Sequence, residues 1–313
     1  MMTPAGTFVT GLDTVFFMLL SGGWLFSLWV TISNSRLSRS ISRLAVVAGA
    51  GMCINSLLLL GLRSLSMSGQ SMDNLFSVME LVLWQTDFGK VWILRMMVSG
   101  LLFVWVLGML GQTHPGKAFH RDSLGMALLL SILGWTLAAT GHAADQGYLT
   151  MTMLTMWGHI LTVSLWGGGI MTFVWLSRVY DGDDRDNKTW LALSQALSRT
   201  AGIALVLVVV TGMINGLQHL HGFSNLWDSS YGRILGIKVF LVMIMVLLGG
   251  SNRLKQLPRL VECDQRADMG AGFYRVMQQF LLIIRIEFVV LLGVISLAAW
   301  LSQTMPPMTT DIS

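Results

Sequence analysis

Charge is scarce in this chain. Asp, Glu, Lys and Arg together make up 12% of its 313 residues, against 54% hydrophobic ones. A soluble domain carries about a quarter charged residues, so an ordinary water-exposed fold is excluded. Thiols are scarcer still: Cys53 and Cys263 are the two cysteines. One falls in the middle of an apolar stretch and the other in a basic loop, so their depths differ and they cannot be bridged. Neither belongs to a C-x-x-C pair, which removes thiolate zinc and iron–sulfur sites. No acidic loop of EF-hand type suggests calcium. No G-x-x-x-x-G-K-[ST] and no D-K-T-G occurs, so an ATP-driven pump is excluded. The basic loops are short and carry no aromatic ladder, which argues against nucleic acid as a partner.

What remains is apolar sequence in stretches of about twenty residues, the length a helix needs to cross hydrocarbon. Backbone groups cannot stay bare in lipid, so each stretch must be helical. The chain therefore reads as an all-α, polytopic membrane protein: a single transmembrane domain over 1–313 in contact with the lipid bilayer. Eight transmembrane helices are predicted near 12–32, 43–65, 90–111, 123–143, 153–178, 199–220, 231–250 and 278–303. The first carries no basic leader and no cleavage site, and reads as a retained helix. The segments outside the spans are short, so no soluble domain and no fused metal-binding domain is expected. Lys and Arg set the orientation. Arg36, Arg39, Arg43, Lys117, Arg121, Arg178, Arg185, Lys188, Arg199, Arg253, Lys255, Arg259, Arg266 and Arg275 follow spans 1, 3, 5 and 7. The opposite side holds Arg63, Lys90 and Arg233. This asymmetry predicts both termini outside the cytoplasm.

The chain also repeats itself. Leu83–Arg95 (LWQTDFGKVWILR) aligns with Leu226–Lys238 (LWDSSYGRILGIK) at an offset of 143 residues, and Gly22–Trp29 aligns more weakly with Gly168–Trp175. Two four-helix halves are expected, 12–111 plus 123–143 and then 153–303. Four is an even number of spans, so the halves share an orientation and their pseudo-axis runs along the membrane normal. In the repeated segment Thr86 and Ser229 suit helix caps. Arg95 and Lys238 then fall one to two turns inside their spans, where a cation snorkels, pairs or lines a cavity.

Soft ligands gather on the non-cytoplasmic side. Of 22 Met, several crowd the loops and helix ends there: Met67, Met72, Met79, Met151, Met153, Met156, Met305 and Met308. Four of the six His share that side, namely His142, His159, His219 and His221, while His114 and His120 lie on the other. Imidazole with thioether suits copper, and thioether favours Cu(I). Met156 and His159 are three apart on one helical face. Glycines at 167–169 and at 212 and 216 let neighbouring helices approach. Candidate metal ligands are therefore His142, His159, Met156, His219, His221 and Met153. Embedded polar groups with a pathway or structural role are Asn215, Lys238, Arg95, Asn252, Arg253 and Glu287; Asp13 and Asn55 are also embedded. The alignment of the two glycine runs sets Asp13 opposite His159, so a metal site is expected in the second half alone.

Several short motifs in order, G-H-A at 141–143, H-x6-W-G-G-G from His159, S-x-Y-G-R at 229–233, S-N-R-L at 251–254 with Leu257-Pro258, R-I-E at 285–287 and Pro306-Pro307, are similar to the copper resistance protein D family of bacterial inner-membrane proteins. The resemblance implies copper homeostasis, with copper moved through the inner membrane and a small periplasmic copper-binding partner of the copper resistance protein C type. It implies roles for His142, His159, Asn215, Lys238, Asn252, Arg253 and Glu287. The expected function is copper ion transport with periplasmic His and Met capture and no enzymatic activity. Two alternatives stay open: a b-type haem electron-transfer protein built on His142 and His159, and a non-transporting partner or sensor for a periplasmic copper carrier. Association of copies is compatible with either.

Overall fold

A computed structural model describes residues 4–29, 35–69, 72–110, 122–145, 147–180, 184–219, 229–266, 268, 270–302 and 304. His114, Lys117, His120, Arg121, His221, Leu226, Trp227, Met305, Pro306, Pro307 and Met308 lie outside them. Among the described residues all regular structure is helical. The long helices are α1 (Pro4–Trp29), α2 (Ser35–Ser68), α4 (Asp87–Leu110), α6 (Met151–Leu176), α7 (Asp184–His219), α8 (Ser230–Ser251) and α10 (Ala271–Leu301). Each of these seven lies in a segment long and apolar enough to span a bilayer. The helix at the fourth predicted span is shorter than these seven: α5 (Ser123–Ala139) has 17 residues, about 25 Å at the helical rise. A 3₁₀ turn at His142–Ala144 follows it. The protein is a multi-pass membrane protein.

The basic side departs from expectation. Arg36, Arg39 and Arg43 ride on the first turns of α2, and Lys188 on those of α7, rather than on loops. The stretch beyond α8, predicted as a loop, stays helical through one π turn (Asn252–Gln256) into α9 (Leu257–Gln265). Pro258 has no N–H for the carbonyl four residues back, and the wider π turn accommodates it. Hydropathy detects only the lipid-covered part of a helix. These polar extensions are held instead by an aromatic cluster in which Phe173 meets Phe26, Trp190 and Phe280 edge-on, with Tyr180 against Trp190. A further helix, α3 (Leu75–Gln85), was not expected. It exposes Phe76, Leu81 and Trp84 beside α2 and α4.

The repeated segment caps its helices alike. The Gly89 N–H donates to Thr86 Oγ1 at 3.0 Å at the start of α4, and the Gly232 N–H donates to Ser229 Oγ at 2.9 Å at the start of α8. The bundle centres on α1 against α6, its most extensive helix pair. There Gly22 faces Gly168, the residue aligned with it in the sequence. A Cβ on Gly22 would overlap the Gly168 carbonyl, and one on Gly168 would overlap the carbonyl of Met18. Two backbones this close leave no room for a side chain, so Gly168→Leu is expected to cost at least the ~1–3 kcal/mol of an overpacked core. Thermal unfolding in detergent checks this. Around the central pair, α2 packs on α1 and α7 on α6, while α5 and α10 each touch both. The two sides differ in one respect: α2 packs along α4, whereas α7 and α8 do not pack along their described lengths.

Candidate functional site

Two polar clusters lie in the apolar bundle. In the first, Arg95 on α4 is fully buried and donates through Nη1 to Asp13 Oδ2 on α1 at 2.8 Å. Its Nη2 donates to the Thr136 carbonyl and to Thr140 Oγ1, both at 2.8 Å, and its Nε to Thr136 Oγ1 at 3.3 Å. The Asn55 amide on α2 donates to the other Asp13 oxygen at 2.8 Å and to the Val9 carbonyl at 2.9 Å. Arg95 thus pairs and does not snorkel. Charge is balanced and four of five guanidinium donors are used, so this cluster is closed.

The second cluster is open. His159 lies eight residues into α6, about 12 Å from its start. Its Nδ1 is 2.8 Å from Thr211 Oγ1 on α7. The Thr211 hydroxyl already gives its proton to the Leu207 carbonyl at 2.6 Å. With the hydroxyl donating to Leu207, Thr211 accepts from the ring; in this tautomer the proton is on Nδ1 and a lone pair is left on Nε2. Among the described residues nothing bonds Nε2. Metal-ligating histidines are held this way, one nitrogen fixed by a hydrogen bond and the other free to ligate. Gly212 makes room for the ring, since a Cβ there would stand 3.4 Å from His159 Cε1. One turn away Asn215 is buried, with its amide nitrogen 4.0 Å from the Met156 sulfur. Lys238 on α8 lies within electrostatic reach of the His159 ring, again eight residues from its helix start.

The structure therefore brings His159, Met156, Asn215 and Thr211 together. Thr211 was not singled out in the sequence; its signal was the T-x-x-x-N spacing, which puts it on one helical face with Asn215. Met153 is fully buried one turn toward the start of α6, among Val91, Ala138, Ala139 and Ala143. His142 opens the turn after α5 and His219 ends α7, but their side chains lie outside the described residues, as does all of His221. Arg253 on the π turn donates to the Ser198 carbonyl of α7 at 3.2 Å. Asn252 donates to the Phe280 carbonyl of α10 at 3.4 Å. Glu287 is buried about halfway along α10, because that helix starts at 271 rather than near 278. No three His, Cys, Asp or Glu side chains converge among the described residues. A site here consists of one imidazole with thioether and amide neighbours.

The fold defines a class: helical multi-pass membrane proteins, here with His159, Met156 and Asn215 on facing helices inside the bundle. Two family descriptions match the chain, "Copper resistance protein D-like, N-terminal domain" over residues 1–151 and "Copper resistance protein D" over residues 191–301. The chain belongs to the copper resistance protein D family, which places it in copper homeostasis at the level of the family. It is 26% identical to Inner membrane protein YebZ of Escherichia coli (strain K12) over 265 residues, covering 82% of this chain and 84% of that protein. It is 25% identical to Copper transport protein CutJ of Bacillus subtilis (strain 168), covering 77% of this chain but 43% of that longer protein. It is 25% identical to Copper resistance protein D of Pseudomonas syringae pv. tomato over 73% of this chain and 72% of that protein. No solved structure matches.

Proposed function

We propose that this protein carries copper across the bacterial inner membrane, with both termini in the periplasm and His159 Nε2 as the central ligand. The observation that carries the proposal is the hydrogen-bond chain from Leu207 through Thr211 to His159, which orients the ring through Nδ1 and leaves Nε2 without a partner among the described residues. The Met156 thioether is the second ligand, and this imidazole–thioether pair favours Cu(I). Met67, Met72 and Met151 are exposed at the end of the bundle from which His159 is about two turns deep. They form the capture surface, to which the sequence adds His142, His219 and His221, while Met153 is buried beneath it among apolar side chains. There a periplasmic copper carrier of the copper resistance protein C type delivers its ion.

The two halves are a duplicated unit in this reading. Gly22 against Gly168 supports a two-fold axis between the halves, since equivalent residues can meet at an axis. Arg95 and Lys238 hold equivalent depths. The first half, closed by Asp13–Arg95, is the scaffold, and the second carries the ion. Lys238 keeps that site weak, as an ion that must leave requires. Lys238→Met is expected to tighten copper binding roughly tenfold, the effect of removing one unit charge on the order of 10 Å away at an effective dielectric of about 20. Equilibrium titration with a competing Cu(I) chelator measures this. Thr211→Val removes the group that orients the ring and is expected to weaken copper binding about 10- to 100-fold.

Labelled-copper entry into proteoliposomes tests the function itself. Time-dependent accumulation above protein-free vesicles supports transport. Binding with no accumulation means that the protein docks or senses copper instead.

A further inference from the structure

Glu287 is 4% exposed, on the face of α10 that also buries Phe280 and Val294. Its carboxylate lies against α8 at Gly249, where a Cβ would sit 3.8 Å from both oxygens. Among the described residues its Oε1 has no hydrogen-bond partner, and the carboxylate forms no ion pair. The charged and titratable groups of the neighbouring helices are all engaged or turned elsewhere. Asp13 on α1 pairs with Arg95, and His159 on α6 bonds Thr211. Lys238 is eleven residues from Gly249 along α8, about 16 Å at the helical rise. Arg253 reaches Ser198, while Lys255, Arg259, Glu262 and Asp264 are exposed on the π turn and α9, Cys263 is half-buried, and Arg285 on the same helix is exposed. A lone ionised carboxylate in hydrocarbon is expensive and marks function by default.

Two further acceptors continue from Glu287 toward the basic end. Asn252 is 4% exposed and Gln256 9%, and Asn252 Oδ1 and Gln256 Oε1 are buried without partners among the described residues. Asn252, about one turn beyond Gly249, is anchored at the Phe280 carbonyl, and Gln256 follows one turn later. The set is too small for a hard metal ion, which needs six or more oxygens around one point. It suits a proton, which needs one carboxylate and a succession of acceptors.

We propose that Glu287 binds and releases a proton inside the bundle, reaching the basic end past the Asn252 and Gln256 amides, and that this proton exchanges for the copper ion passing His159. The chemistry is a reversible protonation: the carboxylate takes one proton to give the neutral acid and returns it, with no other bond changed. One carboxylate offers one negative charge, so a monovalent copper ion that has passed His159 and reaches Glu287 displaces its proton, and the two move in opposite directions. The exchange rests on the transport reading; the proton site does not.

Infrared difference spectra of the protein in lipid, recorded across a pH titration with and without Cu(I), test the site. The expected result is a buried carboxylic-acid band that titrates, changes when copper is added, is lost in Glu287→Gln and returns shifted in Glu287→Asp. Identical spectra for wild type and Glu287→Gln would overturn the proposal. In proteoliposomes loaded with a pH dye, copper entry should be matched by proton exit, and Glu287→Gln should lose the proton signal while still binding copper. Proton movement in the same direction as copper, or unchanged by Glu287→Gln, overturns the exchange. A titrating Glu287 band with no copper entry in the wild type refutes transport and leaves the proton site standing.

Discussion

Arg95→Met is expected to destabilise the protein by about 3–5 kcal/mol, the largest stability effect in the molecule. The substitution keeps the length and apolar stem of the side chain but strands Asp13, which is 2% exposed and then keeps Asn55 alone as a side-chain partner. Thr136 and Thr140 lose the donor they share. Asp13→Leu should cost a similar amount by stranding the guanidinium instead. The double variant Asp13→Leu/Arg95→Met removes both charges, and replacing a buried pair by apolar groups of similar size is often neutral. Its stability should therefore return most of the way to wild type, giving a large coupling energy in a double-mutant cycle. Thermal unfolding of the four proteins in one detergent measures it. Additive losses would mean that Asp13 and Arg95 act independently, contrary to their 2.8 Å contact.

His159→Ala is expected to reduce copper entry into proteoliposomes to that of empty vesicles while leaving the fold intact. The ring is half-buried on the α7-facing side of α6, and its loss removes a single side-chain bond, to Thr211. Thr211 keeps its own bond to Leu207. The stability change should therefore be about 1–2 kcal/mol, well below that of Arg95→Met. His159→Gln, which preserves a hydrogen-bond partner for Thr211 but offers no imidazole, should fold like wild type and still fail to move copper. A variant of His159 that transports at the wild-type rate would remove the proposed site.

The two clusters differ in how legible they were in the sequence. The helices announced themselves, because long apolar runs admit no other backbone in lipid. The candidate ligands His159 and Met156 followed from a three-residue spacing, and Asn215 from its place in an apolar run. Thr211 did not, because a threonine in a membrane helix is usually satisfied by its own backbone. Its use as an acceptor became visible only when α7 was set against α6. Asp13 and Arg95 were each conspicuous as embedded charges, yet they are 82 residues apart and joined by tertiary packing alone. The helix ends on the basic side were missed for a different reason. Hydropathy reports where lipid lies, whereas α2, α7 and α10 are extended beyond it by packing around Trp190, Phe173 and Phe280.

Copper-edge X-ray absorption on the purified protein, loaded with one equivalent of Cu(I) in lipid, tests the central assignment most directly. The account predicts a mixed nitrogen and sulfur shell, one imidazole with one thioether, that loses its imidazole signature in His159→Ala and its sulfur in Met156→Leu. A copper spectrum that is the same in wild type and His159→Ala would contradict it.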